Sequence, residues 1–318
     1  MGMWLSLVAG LVLLVLGGEF LVRGTVRVAE RLGVSPLVIG LTLVGFGTST
    51  PELVTSVQAA LKGAPGIAYG NVVGSNIANI LLIMGGAALI TPIAVASAAL
   101  KRDGAVMVVV ALGFAALGLL MPLGVAVGAA FVTALAFYIY MAFRQESRGA
   151  VREKADAAQS ADPALAPDGT TSLPVSLLTA LGGLALVVYG GYLLVEGATT
   201  LARSFGISET VIGLTVVAIG TSLPELVTSV MAAIRKQADM AFGNIIGSNI
   251  YNILGIAGVT AMVSPGNVPS EILSFDNLVM IAASLAVVGL AWTGLRISRR
   301  EGALLLAGYG IYLWALWP

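Results

Sequence analysis

Apolar runs long enough to cross a bilayer constrain this chain more than any other feature. A helix needs about 20 predominantly apolar residues to span the hydrocarbon core. Runs of that kind can be marked off at residues 3–22, 36–61, 69–91, 104–121 and 124–143, then at 176–195, 208–234, 241–262, 277–295 and 302–317. Ten transmembrane helices are therefore expected. The composition agrees, with 58% of 318 residues hydrophobic and 10% charged, which is far from a soluble domain. The first run is followed by Arg23 and Arg27 and preceded by no basic residue, the reverse of a signal peptide, so it counts as a span.

The basic residues orient these spans. With the N-terminus external, Arg23, Arg27, Arg31, Lys101, Arg102, Arg144, Arg148, Arg152, Lys154, Arg235, Lys236, Arg296, Arg299 and Arg300 fall on the cytoplasmic side. Only Lys62 and Arg203 fall outside. Lys and Arg are held back on the cytoplasmic side during insertion, so both termini are expected to be external.

The missing residues narrow the chemistry. There is no cysteine and no histidine, which removes disulfides, thiolate and imidazole metal ligands, and histidine-based hydrolytic dyads. Lys plus Arg balances Asp plus Glu at 16 each, so no basic surplus points to nucleic acid. Oxygen ligands remain. Neither an enzymatic activity nor a bound cofactor is expected.

One segment reads as non-membrane: "RQESRGAVREKADAAQSADPALAPDGTTSLP", rich in Ala, Asp, Pro and charge, makes residues 144–175 a cytosolic linker. It separates residues 1–143 from 176–318, and these halves are copies. "GFGTSTPELVTS" at 45–56 returns as "AIGTSLPELVTS" at 218–229, an offset of 173 residues. At the same offset "GNVVGSNIANIL" at 70–81 meets "GNIIGSNIYNIL" at 243–254, and Gly17, Gly33, Gly40 and Pro92 meet Gly190, Gly206, Gly213 and Pro265. Five spans is an odd number, so the second copy must enter the membrane from the opposite face. Arg23, expected inside, accordingly aligns with Glu196, expected outside.

The repeated stretches are polar where hydrocarbon demands apolar residues. Pro51 has no amide hydrogen and crowds the Gly47 carbonyl, so a kink with freed carbonyls around Gly45 to Thr48 is expected, and Pro224 repeats this near Gly220. Thr48, Ser49 and Glu52 share one turn, as do Thr221, Ser222 and Glu225; Ser75 with Asn79 and Ser248 with Asn252 are i, i+4 pairs. A carboxylate near the bilayer centre costs about 2.5–3.5 kcal/mol even on the lenient insertion scale. Neither Glu52 nor Glu225 has a basic residue within two turns, so function outweighs packing as the reason for both. Elsewhere the plainer reading holds. Thr42, Thr55, Thr215 and Thr228 suit hydroxyls bonded back to their own helix, Gly70, Gly74, Gly243 and Gly247 suit close helix packing, and Glu19 and Glu196 lie near helix ends, where a carboxylate reaches the interface.

Two carboxylates among hydroxyls, amides and carbonyls suit a hard cation. Calcium takes about six to eight oxygens in flexible geometry, whereas magnesium resists dehydration and transition metals prefer nitrogen or sulfur. Sodium is close to calcium in size. One Ca2+, two Na+ or two protons would each balance a charge of −2, so the ions would exclude one another.

"GTSTPE" and "GTSLPE", followed by "GSNIANI" and "GSNIYNI", resemble the two alpha repeats of the calcium/cation antiporter superfamily, in the prokaryotic type of its sodium/calcium exchanger branch. The likeness covers nearly the whole chain outside the linker. It implies an all-α membrane protein of ten helices in two inverted five-helix repeats, with the alpha-1 motif at 45–81 and the alpha-2 motif at 218–254. Helices two, three, seven and eight would form a core, and the first and sixth would slide past it. The metal ligands it implies are Gly45, Thr48, Ser49, Glu52, Ser75 and Asn79, then Ala218, Thr221, Ser222, Glu225, Ser248 and Asn252, with the carbonyls of Gly45 and Ala218 contributing. Some members carry an aspartate at one of the two asparagine positions; with Asn79 and Asn252 both neutral, potassium coupling is not expected. The implied activity is Ca2+ exchanged for Na+ across a prokaryotic plasma (inner) membrane, a setting that the short linker and the absence of a targeting peptide also favour. Ca2+/H+ antiport is the alternative within the class. A passive cation channel is the alternative outside it, although a channel needs a continuous polar path and these polar residues sit at one depth.

Overall fold

The computed structural model describes residues 2–158, 172–205 and 218–316. Its helices are α1 (Met3–Leu32), α2 (Leu37–Thr48), α3 (Thr50–Leu61), α4 (Pro65–Ile90), α5 (Ser97–Leu120), α6 (Val125–Ala158), α7 (Leu173–Ser204), α8 (Ala218–Thr221), α9 (Leu223–Ile234), α10 (Ala238–Val263), α11 (Ile272–Trp292) and α12 (Arg299–Leu316). The fold is all-helical apart from two residue pairs of strand, β1 (Ile93–Ala94) and β2 (Arg296–Ile297).

Among the described residues seven helices are long and apolar enough to cross a bilayer, and α2 with α3, bent by 45°, makes an eighth. The shorter α9 and the 18-residue α12 fall on the two remaining runs read from the sequence. Residues 208–217 of the seventh apolar run, 208–234, lie outside the described residues, and Thr215 with them. Large apolar side chains cover the exterior, Leu11, Val15, Leu112, Leu119, Phe137, Leu178, Leu278 and Leu304 among them. Apolar exposure on this scale fits a lipid-facing wall, and the chain is an integral membrane protein.

Helix ends differ from the apolar runs in a physically sensible way. The helix α1 runs ten residues past the apolar stretch that ends at residue 22 and stops at Gly33, whose left-handed φ of 65° turns its N–H back onto the carbonyls of Ala29 and Glu30. The helix α6 continues to Ala158, so the first part of the 144–175 segment is helical; its Ala, Glu, Gln, Lys and Arg are strong helix formers that need no apolar face to extend an existing helix. Residues 159–171 of that segment lie outside the described residues.

Contacts recur at the sequence offset of 173. The turn between α3 and α4 places Gly63 at φ 72°, and the turn between α9 and α10 places Lys236 at φ 59°. Both turns close with the same pair of backbone bonds, Gly63 N–H to Ala60 and Ala64 N–H to Ala59, then Lys236 N–H to Ala233 and Gln237 N–H to Ala232. A left-handed lysine costs about 1 kcal/mol more than glycine there. The connector Ile93–Ala94 pairs antiparallel with Arg296–Ile297, and Leu123 bridges Gly266 in the corresponding place.

Packing threads the two halves through one another. The helix α12 lies on α4 and α6 lies on α10, each crossing to the other half. Buried on 72% and 83% of their most apolar stretch, against 28–39% for the other long spans, α4 and α10 form the centre. The helices α1 and α7 run antiparallel in backbone contact. Gly10, Gly17 and Gly24 recur every seven residues on α1 and meet a matching series, Gly183, Gly190 and Gly197, on α7. Small residues at this spacing let two backbones approach without side chains between them.

Candidate functional site

The bent pair α2–α3 and its counterpart α8–α9 meet with the two glutamates at their junction. Each glutamate opens a helix: Pro51 and Pro224 stand in the first turn of α3 and α9, where a missing N–H is tolerated because first-turn donors have no partner within the helix. This corrects one expectation. Gly45 does not have a freed carbonyl, since it accepts the Ser49 N–H at 3.1 Å and lies 3.3 Å from the Thr48 hydroxyl. Pro51 falls after the bend, so the helical bond of Gly45 is intact. A ligand bond from Gly45 would use the second lone pair of that oxygen. In the other half, the Ser222 N–H bonds the Ile219 carbonyl instead, one residue after Ala218, which begins α8.

Both carboxylates are sealed from outside, Glu52 at 1% exposure and Glu225 at 0%. Each is held by the serine of the opposite half. Ser49 donates to Glu225 Oε1 at 2.8 Å, and Ser222 donates to Glu52 Oε1 at 3.1 Å. Hydrogen bonds to a charged acceptor are roughly twice as strong as neutral ones, so this reciprocal pair ties the two halves at the site itself. The second oxygens, Glu52 Oε2 and Glu225 Oε2, have no hydrogen-bond partner among the described residues.

The asparagines come from the two central helices. Asn79 and Asn252 each open a wide π-helical turn, Asn79–Met84 in α4 and Asn252–Ala257 in α10. Such turns are concentrated at functional sites because they redirect a side chain out of the ordinary helical register. Both residues are buried at 1%, and Asn79 Oδ1, Asn252 Oδ1 and Nδ2, and Ser248 Oγ lack hydrogen-bond partners among the described residues. Ser75, one turn before Asn79, is buried too. Burying a polar group without a partner costs about 1–3 kcal/mol. Counted with Glu52 Oε2 and Glu225 Oε2, six such atoms fall on candidate ligands in the repeated stretches of the two halves.

The remaining residues sort themselves. Thr48 is fully buried and bonds back to the Val44 carbonyl at 3.0 Å. Thr42 bonds back to Val38 at 2.7 Å, as the plainer reading expects, while the buried Thr228 hydroxyl has no such bond. Glu19 is a packing partner: it bonds Arg235 at the end of α9 through Nε at 2.7 Å and also pairs with Arg23.

A cavity reaches the junction from one side. Thr50, Pro51, Val54 and Thr55 of α3 face Val188, Gly191 and Tyr192 of α7 across a cavity of about 340 Å³ that reaches Thr221 and Pro224. At the counterpart of Gly191, a Cβ on Gly18 would lie 2.9 Å from Val227 and Met231, whereas one on Gly191 would stand 3.9 Å from Leu223 and Pro224. Packing is therefore tighter at Gly18 than at Gly191.

Asn71 and Asn244 were not among the residues singled out from the sequence. Asn71 Nδ2 donates to the Glu52 carbonyl at 3.1 Å and to Ser56 Oγ at 3.0 Å; Asn244 Nδ2 donates to Ser229 Oγ at 2.8 Å and lies 3.4 Å from the Glu225 carbonyl. Their signal was present, since all four partners recur at the offset of 173 within the repeated blocks.

Known proteins resemble this chain in architecture and in sequence. The family model described as "Sodium/calcium exchanger protein" matches residues 2–144 and 175–317. The sodium/calcium exchanger MaX1 of Methanosarcina acetivorans is 36% identical over 339 residues, covering 98% of this chain and 97% of that protein. The inner membrane protein YrbG of Escherichia coli is 37% identical, covering 96% and 94%. A solved structure of the sodium-calcium exchanger NCX_Mj, soaked with Na+ and Ca2+, superimposes with a TM-score of 0.84 at 33% identity over 98% of this chain and 97% of that one. With both halves matched and only the intervening segment left out, the chain belongs to the sodium/calcium exchanger protein family.

Proposed function

We propose that this protein is a secondary active antiporter that moves Ca2+ outward against inward Na+, presenting one buried site alternately to the two sides. The observation that carries the reading is the set of partnerless buried oxygens, Glu52 Oε2, Glu225 Oε2, Asn79 Oδ1, Asn252 Oδ1 and Ser248 Oγ, drawn from both halves. A hard cation completes such a set of oxygens. The ligands assigned are Thr48, Ser49, Glu52, Ser75 and Asn79 with the Gly45 carbonyl, and Thr221, Ser222, Glu225, Ser248 and Asn252 with the Ala218 carbonyl. Relatives named sodium/calcium exchangers support calcium and sodium as the substrates.

The architecture that goes with this is ten spans in two inverted five-helix repeats, residues 1–143 and 176–318, joined by a cytosolic segment at 144–175 in a prokaryotic plasma membrane, with both termini external. The recurrence of bonds at a fixed offset supports the repeat, and the distribution of Lys and Arg supports the orientation. In that orientation the open cavity faces outward.

Proteoliposomes loaded with Na+ or with acid, each against external Ca2+, test the coupling. Uptake of Ca2+ is expected with the sodium gradient and not with the proton gradient. If three sodium ions exchange for one calcium ion at a site of charge −2, each cycle moves one net positive charge with sodium, and a potential biases it by about 2.3 kcal/mol per 100 mV. Uptake by sodium-loaded vesicles should therefore speed up when the interior is made positive and slow down when it is made negative. Uptake driven by a pH gradient without sodium and indifferent to voltage would replace sodium by protons as the counter-ion, and uptake down a calcium gradient with no counter-ion would make the protein a channel.

A further inference from the structure

Each glutamate of the site is gripped from behind by an asparagine on the neighbouring helix. Asn71, on α4, donates to the carbonyl of Glu52 itself at 3.1 Å and to Ser56, one turn further along α3, at 3.0 Å. Asn244, on α10, makes the same two contacts to Glu225 and Ser229 of α9, at 3.4 and 2.8 Å. Its other amide atom, Oδ1, is one of three acceptors around the Thr48 hydroxyl, at 3.4 Å. One buried amide thus joins three elements, α2, α9 and α10, at the site. Asn76 and Asn249 lie in the same blocks and are buried, more deeply than the half-buried Asn71, but each amide bonds its own helix, to Val72 and Ile245 at 2.7 Å. Neither of these two bonds reaches a neighbouring helix.

A helix carrying a single ligand can turn about its axis or shift along it, and either motion displaces the carboxylate. Two bonds four residues apart on one face stop both motions. We infer that Asn71 and Asn244 are positioning residues that fix the separation of the Glu52 and Glu225 carboxylates and thereby favour calcium over sodium. The inference rests on the antiporter reading above. Ca2+ and Na+ are close in size, so the distinction between them lies in charge. Coulomb attraction to each carboxylate is twice as large for the divalent ion at a given distance. A gap that is allowed to widen therefore weakens the calcium ion about twice as much, in free energy, as it weakens each sodium ion.

Truncating the amide should not unfold the protein. In Asn244→Ala the Ser229 hydroxyl is free to bond back to the Glu225 carbonyl, four residues earlier, so neither group is left buried without a partner. The test measures half-saturating Ca2+, half-saturating Na+ and maximal rate in proteoliposomes for the parent, Asn71→Ala, Asn244→Ala, Ser229→Ala and, as the control that bonds only its own helix, Asn76→Ala. Asn71→Ala and Asn244→Ala should raise half-saturating Ca2+ on the order of tenfold, with a distinctly smaller change for Na+ and a maximal rate within about twofold. Ser229→Ala should shift Ca2+ in the same direction by a smaller factor, and it carries the test by itself if Asn244→Ala fails to fold. Asn76→Ala should leave the ratio of the two half-saturating concentrations unchanged. Equal shifts for both ions, a fall in maximal rate alone, or no shift at all would overturn the positioning role. A parent that fails to exchange sodium for calcium would instead overturn the antiporter reading, so the two failures are told apart.

Discussion

Glu52→Gln and Glu225→Gln should each abolish calcium transport while leaving the protein folded and its thermal midpoint equal to or above that of the parent. The two effects have opposite signs for one physical reason. Each substitution removes one of two buried negative charges that neutralise the ion, and breaking a buried charge pair costs about 3–5 kcal/mol, which at about 1.4 kcal/mol per decade is a loss of about two to three and a half orders of magnitude. The same charge is a burden without the ion, about 2.5–3.5 kcal/mol for a carboxylate at the centre of a membrane helix. Glutamine keeps the shape and retains an oxygen for the serine that now donates to Oε1, Ser222 for position 52 and Ser49 for position 225. Calcium uptake together with thermal unfolding checks both halves of the expectation. Near-normal transport in either variant would remove that glutamate from the site.

The second large effect is expected at residues that are not ion ligands. A Cβ on Gly183 would stand 2.3 Å from the Leu21 amide nitrogen, and one on Gly24 would stand 2.4 Å from the Ala180 nitrogen. The obstructing atoms are backbone, which cannot rotate away as the end of a side chain can. Gly183→Leu must therefore push α1 and α7 apart along their whole seam, at a cost above the usual 1–3 kcal/mol of an overpacked core. A large fall in thermal midpoint, with loss of transport, is the expected result. Gly182, next in sequence, has nothing within 4 Å of its own Cβ position, so Gly182→Leu should be nearly neutral. Similar midpoints for the two variants would show that the seam gives way and that the close approach is dispensable.

The site was legible in the sequence to the extent that it is local and duplicated. Glu52 and Glu225 stood out because an unpaired carboxylate in an apolar run needs a reason, and Ser75 with Asn79 because i, i+4 spacing places them on one face. The structure buries all four and brings the two halves together. Partners across the halves were not legible. Spacing shows that Ser49 shares a turn with Glu52, but the serine donates to Glu225, and only the tertiary crossing of the halves makes that choice. The carbonyl of Gly45 was misjudged because the effect of a proline depends on where the helix starts: with the bend at Ser49, Pro51 belongs to the new helix and interrupts no bond of Gly45. Asn71 and Asn244 escaped notice because an asparagine is ambiguous in sequence, and their partners lie 15 and 19 residues away on another helix.

A single shared site makes a demand that independent sites do not. Calcium binding to the purified protein, measured at equilibrium over a range of sodium concentrations, tests it most directly. One calcium ion per chain is expected, displaced competitively by sodium with a dependence steeper than first order, and absent from Glu52→Gln and Glu225→Gln alike. Calcium binding that persists in saturating sodium, with its affinity unchanged, would contradict a common site for the two ions.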